Sequence, residues 1–471
     1  LKHYKKELIL GPFFKLLEAI FELAVPLVMA QIIDKGIGNN DSDYVWKMSG
    51  LIVVLGICGL GFALTCQFFA AKCAYGFGTE LRDALYKHIN KFSHAEIDRF
   101  GTSSLITRIT NDTVLAQNGV NMFIRLAVRA PFLIVGAAVM SMTLDLKLSI
   151  IFLIAAPIIT LIIVWVMKKT VPMYKKIQKG LDKISLLTRE NLDGVRVIRA
   201  FSKQEEEKKE LINESGRLSD NAVIAGKISA ILNPVTFMIM NLGIVAILWF
   251  GGIRVDTGYL TQGEITAFVN YMTQILLALV VLANLVIIFT KAASSASRIN
   301  EVFDTQPSMT DGSDTEFDFS SPAVEFENVS FSYPDAGDLS LNNISFTLKK
   351  GEILGIIGGT GSGKSTLANL VPRFYDITSG NIKIFGKDIK KYSMEELRNL
   401  IGIVPQRAAL FSGTIADNMR WGKPDATDQE IISVLKIAQA WEFVSKLTDG
   451  IKTNISPVSY THLTLPTKLE V

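Results

Sequence analysis

The stretch GIIGGTGSGKSTLANLV, residues 355–371, holds the residues whose types and spacing speak most directly of chemistry. Gly358, Gly363, Lys364 and Ser365 fit the spacing G-x-x-x-x-G-K-[ST]. Glycines at these positions let consecutive backbone N–H groups curl round phosphate oxygens with no side chain in the way. Lys364 adds a point charge for the outer phosphates, and Ser365 offers a hydroxyl to Mg²⁺. A helix after the loop directs its positive N-terminal end at the same anion. The pattern therefore predicts a site for a nucleoside triphosphate with Mg²⁺, provided that a strand leads into the loop and a helix leads out.

The surrounding text supplies those elements. EILGIIG is a short apolar run ending in glycine, read as the strand before the loop. AVEFENVSFSY and LNNISFTLKKG alternate like strands with one exposed face, so a domain is expected to begin near Val324. Before it, DTQPSMTDGSDTEFDFSSP has the Pro, Ser and Asp content of a linker.

Most of the chain before that linker is oily. Hydrophobic residues make up 49% of the 471 residues, and the long charge-free blocks lie before about residue 290. The net charge of +3, without a basic run carrying interleaved aromatics, excludes nucleic acid as an expected partner. Cys58, Cys66 and Cys73 lack CxxC or His-rich spacing and read as packing residues.

A membrane-spanning helix needs about 20 mostly apolar residues. Six blocks qualify, residues 8–33, 50–71, 126–144, 148–167, 228–253 and 265–290, so a lipid bilayer is the expected surroundings of this half. Arg125 and Arg129 shorten the third, which is expected to continue as a helix into water. Lys72, Arg82, Lys87, Lys91, Arg99 and Arg108 come after the second block, and Lys168, Lys169, Lys175, Lys176, Lys179 and Lys183 after the fourth. By the positive-inside rule these two segments, both termini and the phosphate loop are expected in the cytoplasm of a multi-pass protein of the cell membrane.

The two basic connections carry few Pro or Gly residues, so long helices projecting from the membrane are expected. Gly101 and Gly194 mark plausible breaks where a short helix could turn across their ends. Pro26, Pro131, Pro157 and Pro234 lie within or at the start of spans and permit kinks. Glu18 and Glu22 share one helical face, with Lys15 near enough to give a simple ion pair; recognition of a cation or proton coupling is the functional alternative.

From Val324 to about Ser456 the chain resembles the nucleotide-binding domain of ABC transporters, and the six preceding blocks resemble the exporter type of membrane domain. The resemblance rests on FSYPDAGDLSLNNISFTLKKGE, GGTGSGKSTLANLVPRFYDITSGNIKIFGKDI and LRNLIGIVPQRAALFSGTIADNM, in that order. It implies an α-helical six-span domain over residues 1–300, a linker over 301–322, and an incomplete α/β nucleotide-binding domain of the phosphate-loop type over 323–456. It also implies site roles. Tyr333 would stack on adenine. Gly358, Gly359, Thr360, Gly361, Ser362, Gly363, Lys364, Ser365 and Thr366 would hold the phosphates of ATP. Ser365 and Gln406 would face Mg²⁺, Gln406, in VPQ after IGIV read as a strand, also sensing the γ-phosphate, and RAALFSGTI would face the short helices near SSLITRITND and DGVRVIRAF.

The family pattern also includes a signature loop of the LSGGQ kind, a strand ending in Asp and a catalytic Glu, and a switch histidine. The text after EFVSKLTDGIKTNIS reads PVSYTHLTLPTKLEV and matches none of these; His462 lacks the strand and acidic pair that should precede a switch histidine. Residues 457–471 are expected to be an unrelated tail, and Leu1 in first position suggests a fragment of a longer protein. The implied activity is ATP-driven export of an amphipathic, lipid or peptide substrate by a half-transporter paired with a second subunit, with the chain as written inactive alone. An ATP-gated channel, a regulator, and a catalytically incomplete partner subunit are the alternatives; the fused domain order argues against an importer.

Overall fold

The computed structural model describes residues 2–334, 336–405 and 409–455. These divide into two compact units, one up to Met309 and one from Thr310 onward.

In the first unit the elements are α1 (Lys5–Gln31, prolonged by a π-helical turn Ile32–Ile37), α2 (Ser42–Ile89), α3 (His94–Phe100), α4 (Thr102–Thr107), α5 (Thr113–Met122), α6 (Arg129–Leu144), α7 (Ile150–Asp193), α8 (Val195–Ala200), α9 (Gln204–Asp256) and α10 (Gln262–Asp304). Six helical segments are long and apolar enough to cross a membrane: Lys5–Ile37, Ser42–Ile89, Thr102–Leu144, Ile150–Asp193, Gln204–Asp256 and Gln262–Asp304. Each coincides with one of the six apolar blocks, and most run well beyond it. The third passes through π-helical stretches at Arg108–Asp112 and Phe123–Ala127, so the chain stays helical where the arginines interrupt its apolar run. Short helices do begin after Gly101 and Gly194.

The core of this unit is built where α1, α6, α7, α9 and α10 meet, from Leu23, Leu133, Phe152, Ile159, Ile247, Phe268, Met272 and Ile275 among others. Phe152 stacks on Phe268 with ring centroids 5.7 Å apart. Cys66 and Cys73 are fully buried, as expected of packing residues. A second cluster holds Leu85, Phe92 and Leu105 against Ile299 and Val302 near the end of α10.

Polar contacts fix the ends of α10. At its start Thr261 and Glu264 form a reciprocal cap, and Asp34 of the π-helical turn accepts from Gly263 N at 2.8 Å and from Thr261 Oγ1 at 2.5 Å. Near its end Asp112 accepts from Arg298 Nε at 2.8 Å and from Ser295 Oγ at 3.1 Å. Arg108 Nη1 donates to Arg298 O at 2.6 Å, and Arg108 pairs with Glu301 at 2.8 Å. Beyond α10, Ser308 N donates to Glu96 Oε1 at 3.2 Å, while Glu96 Oε2 accepts from Ser93 N at 2.7 Å. Burial pushes the Glu96 carboxyl up, but the donors on Ser93 and Ser308 outweigh it and hold it below the ordinary range.

The stretch expected as a linker, residues 301–322, is therefore shared out. Residues 301–304 finish α10, and the division between units falls after Met309. Within the second unit Phe317 stacks on Tyr392 at 4.7 Å and Phe319 meets Phe385 edge-on at 4.8 Å. Averaged composition hides these two aromatics among Ser and Asp, yet their apolar area is what ties the segment down.

The second unit contains β1 (Val324–Phe331), β2 (Leu341–Leu348), α11 (Lys364–Leu370), β3 (Ser379–Ile384), β4 (Lys387–Asp388), α12 (Met394–Asn399), β5 (Gly413–Thr414), α13 (Ile415–Met419) and α14 (Asp428–Ile437). The sheet runs β2-β1-β3-β4 with every pairing antiparallel. Phe326, Val329, Phe331, Leu341, Ile382 and Ile384 form its core with Leu370 and Leu397 from the helices. The six-helix membrane unit with a small sheet-containing unit after it agrees with the expected order.

Two expected strands are corrected. EILGIIG before the phosphate loop, and IGIV before Pro405, lie outside every strand. Ile353, Ile357 and Val404 are 98%, 99% and 99% exposed. A run that is apolar on both faces reads as a central strand, but such a strand needs a hydrogen-bonded neighbour on each side. Among the described residues no strand offers itself to either run, so their backbone groups face water.

Candidate nucleotide-binding site

The phosphate loop is positioned by α11, the helix it opens into. Thr366 and Leu370 of α11 are buried, and Leu370, its last residue, packs in the core that β1, β2 and β3 share, with Leu367 against it. Gly363 caps α11 with φ of +87°. A Cβ there would come within 2.7 Å of Leu341 Cδ2 and 2.9 Å of Ser340 O, so the loop can pass the start of β2 only with glycine. On the other side of the loop a Cβ at Gly359 or Gly361 would meet no atom within 4 Å. One wall is packed and the other is open.

Lys364 turns back into its own loop. Its Nζ donates to Gly358 O at 2.8 Å, to Gly359 O at 2.6 Å and to Ser362 Oγ at 3.4 Å. All three partners are neutral acceptors, which an anionic oxygen outcompetes as a partner for an ammonium group. Thr360 and Ser362 are exposed beside the open glycines, and Ser365 presents its side chain to solvent from the first turn of α11. This donor set fits a polyphosphate. Among the described residues no three His, Cys, Asp or Glu side chains converge as a metal cage, so Mg²⁺ here would rely on phosphate oxygens beside the Ser365 hydroxyl.

Tyr333 is brought to the same helix. Its hydroxyl lies 3.1 Å from Thr366 Oγ1, and its half-buried ring meets Phe331 and Tyr375 edge-on at 4.9 and 5.2 Å. Sequence reasoning placed Tyr333 at the base and Thr366 at the phosphates without foreseeing their contact. Gln406 lies outside the described residues, so its place relative to the loop is not described. One structural residue escaped notice altogether. Arg373, just after α11, is 1% exposed and donates from Nε to Asp376 Oδ1 at 2.8 Å, while Arg398 donates to its carbonyl at 3.1 Å. The R-x-x-D spacing in PRFYD was the available signal.

Known families match both units. A model of the ABC transporter transmembrane region matches residues 8–280, and one described as ABC transporter matches residues 341–460. The chain belongs to the ABC transporter family. Its membrane unit fused to a nucleotide-binding unit makes it a half-transporter of the exporter type. It is 37% identical over 438 residues to the Uncharacterized ABC transporter ATP-binding protein YfiB of Bacillus subtilis, covering 93% of this chain and 76% of that one. It is 35% identical over 463 residues to the Uncharacterized ABC transporter ATP-binding protein MT1311 of Mycobacterium tuberculosis, covering 97% and 79%. A Multidrug efflux ATP-binding/permease protein of Mycobacterium bovis is 30% identical over 454 residues, covering 96% of this chain and 38% of the relative.

Proposed function

We propose that this half-transporter couples ATP to the export of an amphipathic compound, working with a second subunit that is either another copy or a related chain. The observation that carries the reading is the Lys364 ammonium held only by neutral acceptors in a loop with one open wall, in the same chain as six apolar spans.

Bound Mg-ATP would supply the phosphoryl-transfer chemistry, and the chain's residues the grip. Lys364 exchanges the carbonyls of Gly358 and Gly359 for a phosphate oxygen, and backbone N–H groups from Gly359 to Thr366 bind the remaining charge. Ser365 faces Mg²⁺, Gln406 reports on the outer phosphate, and the Tyr333 ring stacks on adenine. Both termini and the nucleotide unit lie in the cytoplasm of a cell-membrane protein. Residues 301–322 connect the two domains.

Turnover needs a carboxylate to polarise water, and no residue of this sequence matches that part of the family pattern. Hydrolysis is accordingly not assigned to these residues alone, which bind nucleotide weakly. The test is Mg²⁺-dependent binding of a fluorescent ATP analogue to the full chain in nanodiscs, with Lys364→Ala as control. Binding lost in Lys364→Ala, without phosphate release by the native chain, is the expected result. Binding unaffected by Lys364→Ala overturns the grip, and Lys364-dependent phosphate release overturns the assignment of hydrolysis.

A further inference from the structure

A small cavity of about 120 Å³ lies within the membrane unit between α1, α6 and α10. That is room for several waters or one small polar group. Its polar wall is made by Glu22, Arg129 and Gln274 and its apolar wall by residues such as Leu133, Leu277 and Val281. Sequence reasoning offered Lys15, three residues before Glu18, for a simple ion pair on α1. Lys15 does pair with Glu18, at 2.6 Å, but Glu22 reaches across to Arg129 Nη2 at 2.7 Å. Only one Glu22 oxygen is used in this way; the other accepts no hydrogen bond among the described residues.

The wall around this pair is short of partners. Pro26 has no N–H, so the Glu22 carbonyl four residues earlier lacks its helical donor. Gln274 Nε2 approaches that carbonyl at 3.5 Å, the limit of a hydrogen bond, while Tyr271 OH holds the neighbouring Leu23 carbonyl at 2.8 Å. Gln274 Oε1 and Arg129 Nε have no partner among the described residues. Unmet donors and acceptors at membrane depth are expensive, so a polar ligand group able to draw them into new bonds is favoured.

The charges decide which group. Glu22 and Arg129 cancel, so an ionised ligand would bring an uncompensated charge into a low-dielectric site. A neutral group carrying both a donor and an acceptor adds no charge and matches the carboxylate on one side and the guanidinium on the other. We propose that this cavity recognises the uncharged amide group, carboxamide or peptide bond, of an otherwise apolar compound. The inference rests on the export reading above and gives it a substrate class.

The test compares three head groups on one alkyl chain, decanamide, decylammonium and decanoate, by displacement of radiolabelled decanamide from the full chain in nanodiscs without nucleotide, empty nanodiscs being subtracted. Decanamide should bind about tenfold more tightly than either ion. Glu22→Gln should move the preference to decanoate and Arg129→Gln to decylammonium. The double variant Glu22→Arg with Arg129→Glu should restore the amide preference, which separates recognition from misfolding. Equal or tighter binding of an ion to the native chain, or single variants without opposite shifts, overturns the proposal. Nucleotide-driven efflux of decanamide from proteoliposomes is read separately. Selective binding without efflux fails the export reading and leaves the site standing; efflux without selectivity does the reverse.

Discussion

The Tyr333 hydroxyl lies 3.1 Å from Thr366 Oγ1, joining the segment after β1 to the helix that carries the phosphate loop. A residue assigned to the base and one assigned to the phosphates are thus mechanically linked. Tyr333→Phe removes the link and keeps the ring. One net hydrogen bond is worth about 1 kcal/mol, so affinity for an ATP analogue should fall roughly fivefold. Tyr333→Ala also removes the ring and should lose more. Titration of the analogue against both variants checks the order; equal losses would mean that the ring makes no contribution.

The two left-handed glycines of the loop should differ in their tolerance of a methyl group. Gly361 has φ of +83° and open space, whereas Gly363 has φ of +87° and atoms within 2.7 Å of a Cβ. Gly361→Ala meets only backbone strain, about 1 kcal/mol. Gly363→Ala adds a clash and should displace the start of α11, lowering both nucleotide affinity and the stability of the second unit. Limited proteolysis alongside binding measures both.

Acid should loosen α14 late. Lys423 and then the backbone and hydroxyl of Thr427 hold the Glu430 carboxyl down at about 2. A lowered folded-state value means that the cap contributes fully above the ordinary glutamate range, near 4.5, and is lost as pH falls from there through about 2. Protection of the amides across residues 428–437, relative to their unstructured exchange rates, should therefore stay high at pH 5 and fall towards pH 2. Glu430→Gln should flatten that dependence.

Asp112 is the most demanding carboxylate of the membrane unit. Its side chain is 2% exposed and bound by Arg298 and Ser295. Asp112→Ala removes the shared acceptor of Arg298 and the buried Ser295 and should destabilise the unit by roughly 2 kcal/mol, whereas Asp112→Asn should cost less. Thermal unfolding in detergent, monitored by light scattering, distinguishes them. Identical melting of all three proteins would show that the network is idle.

The sequence made long-range periodicity legible and hid pairing. Six apolar blocks of sufficient length predict six spans because a helix satisfies its own backbone. The breaks at Gly101 and Gly194 were readable for the same local reason. Partners across helices were not readable. Glu22 is four residues from Glu18 and seven from Lys15, yet its partner Arg129 stands on another helix. The phosphate loop was legible because its geometry depends on glycines and a lysine within one short run. EILGIIG and IGIV were misread because strand formation depends on neighbours that lie elsewhere.

Those two unpaired runs bear on how the polypeptide behaves in the test tube. A β-branched, uncharged segment such as ILGII, with its backbone donors and acceptors turned outward, is a ready template for another chain. Self-association of the second unit should thus begin at residues 353–357, and a single lysine in place of Ile357 should raise its solubility more than any change on the antiparallel sheet.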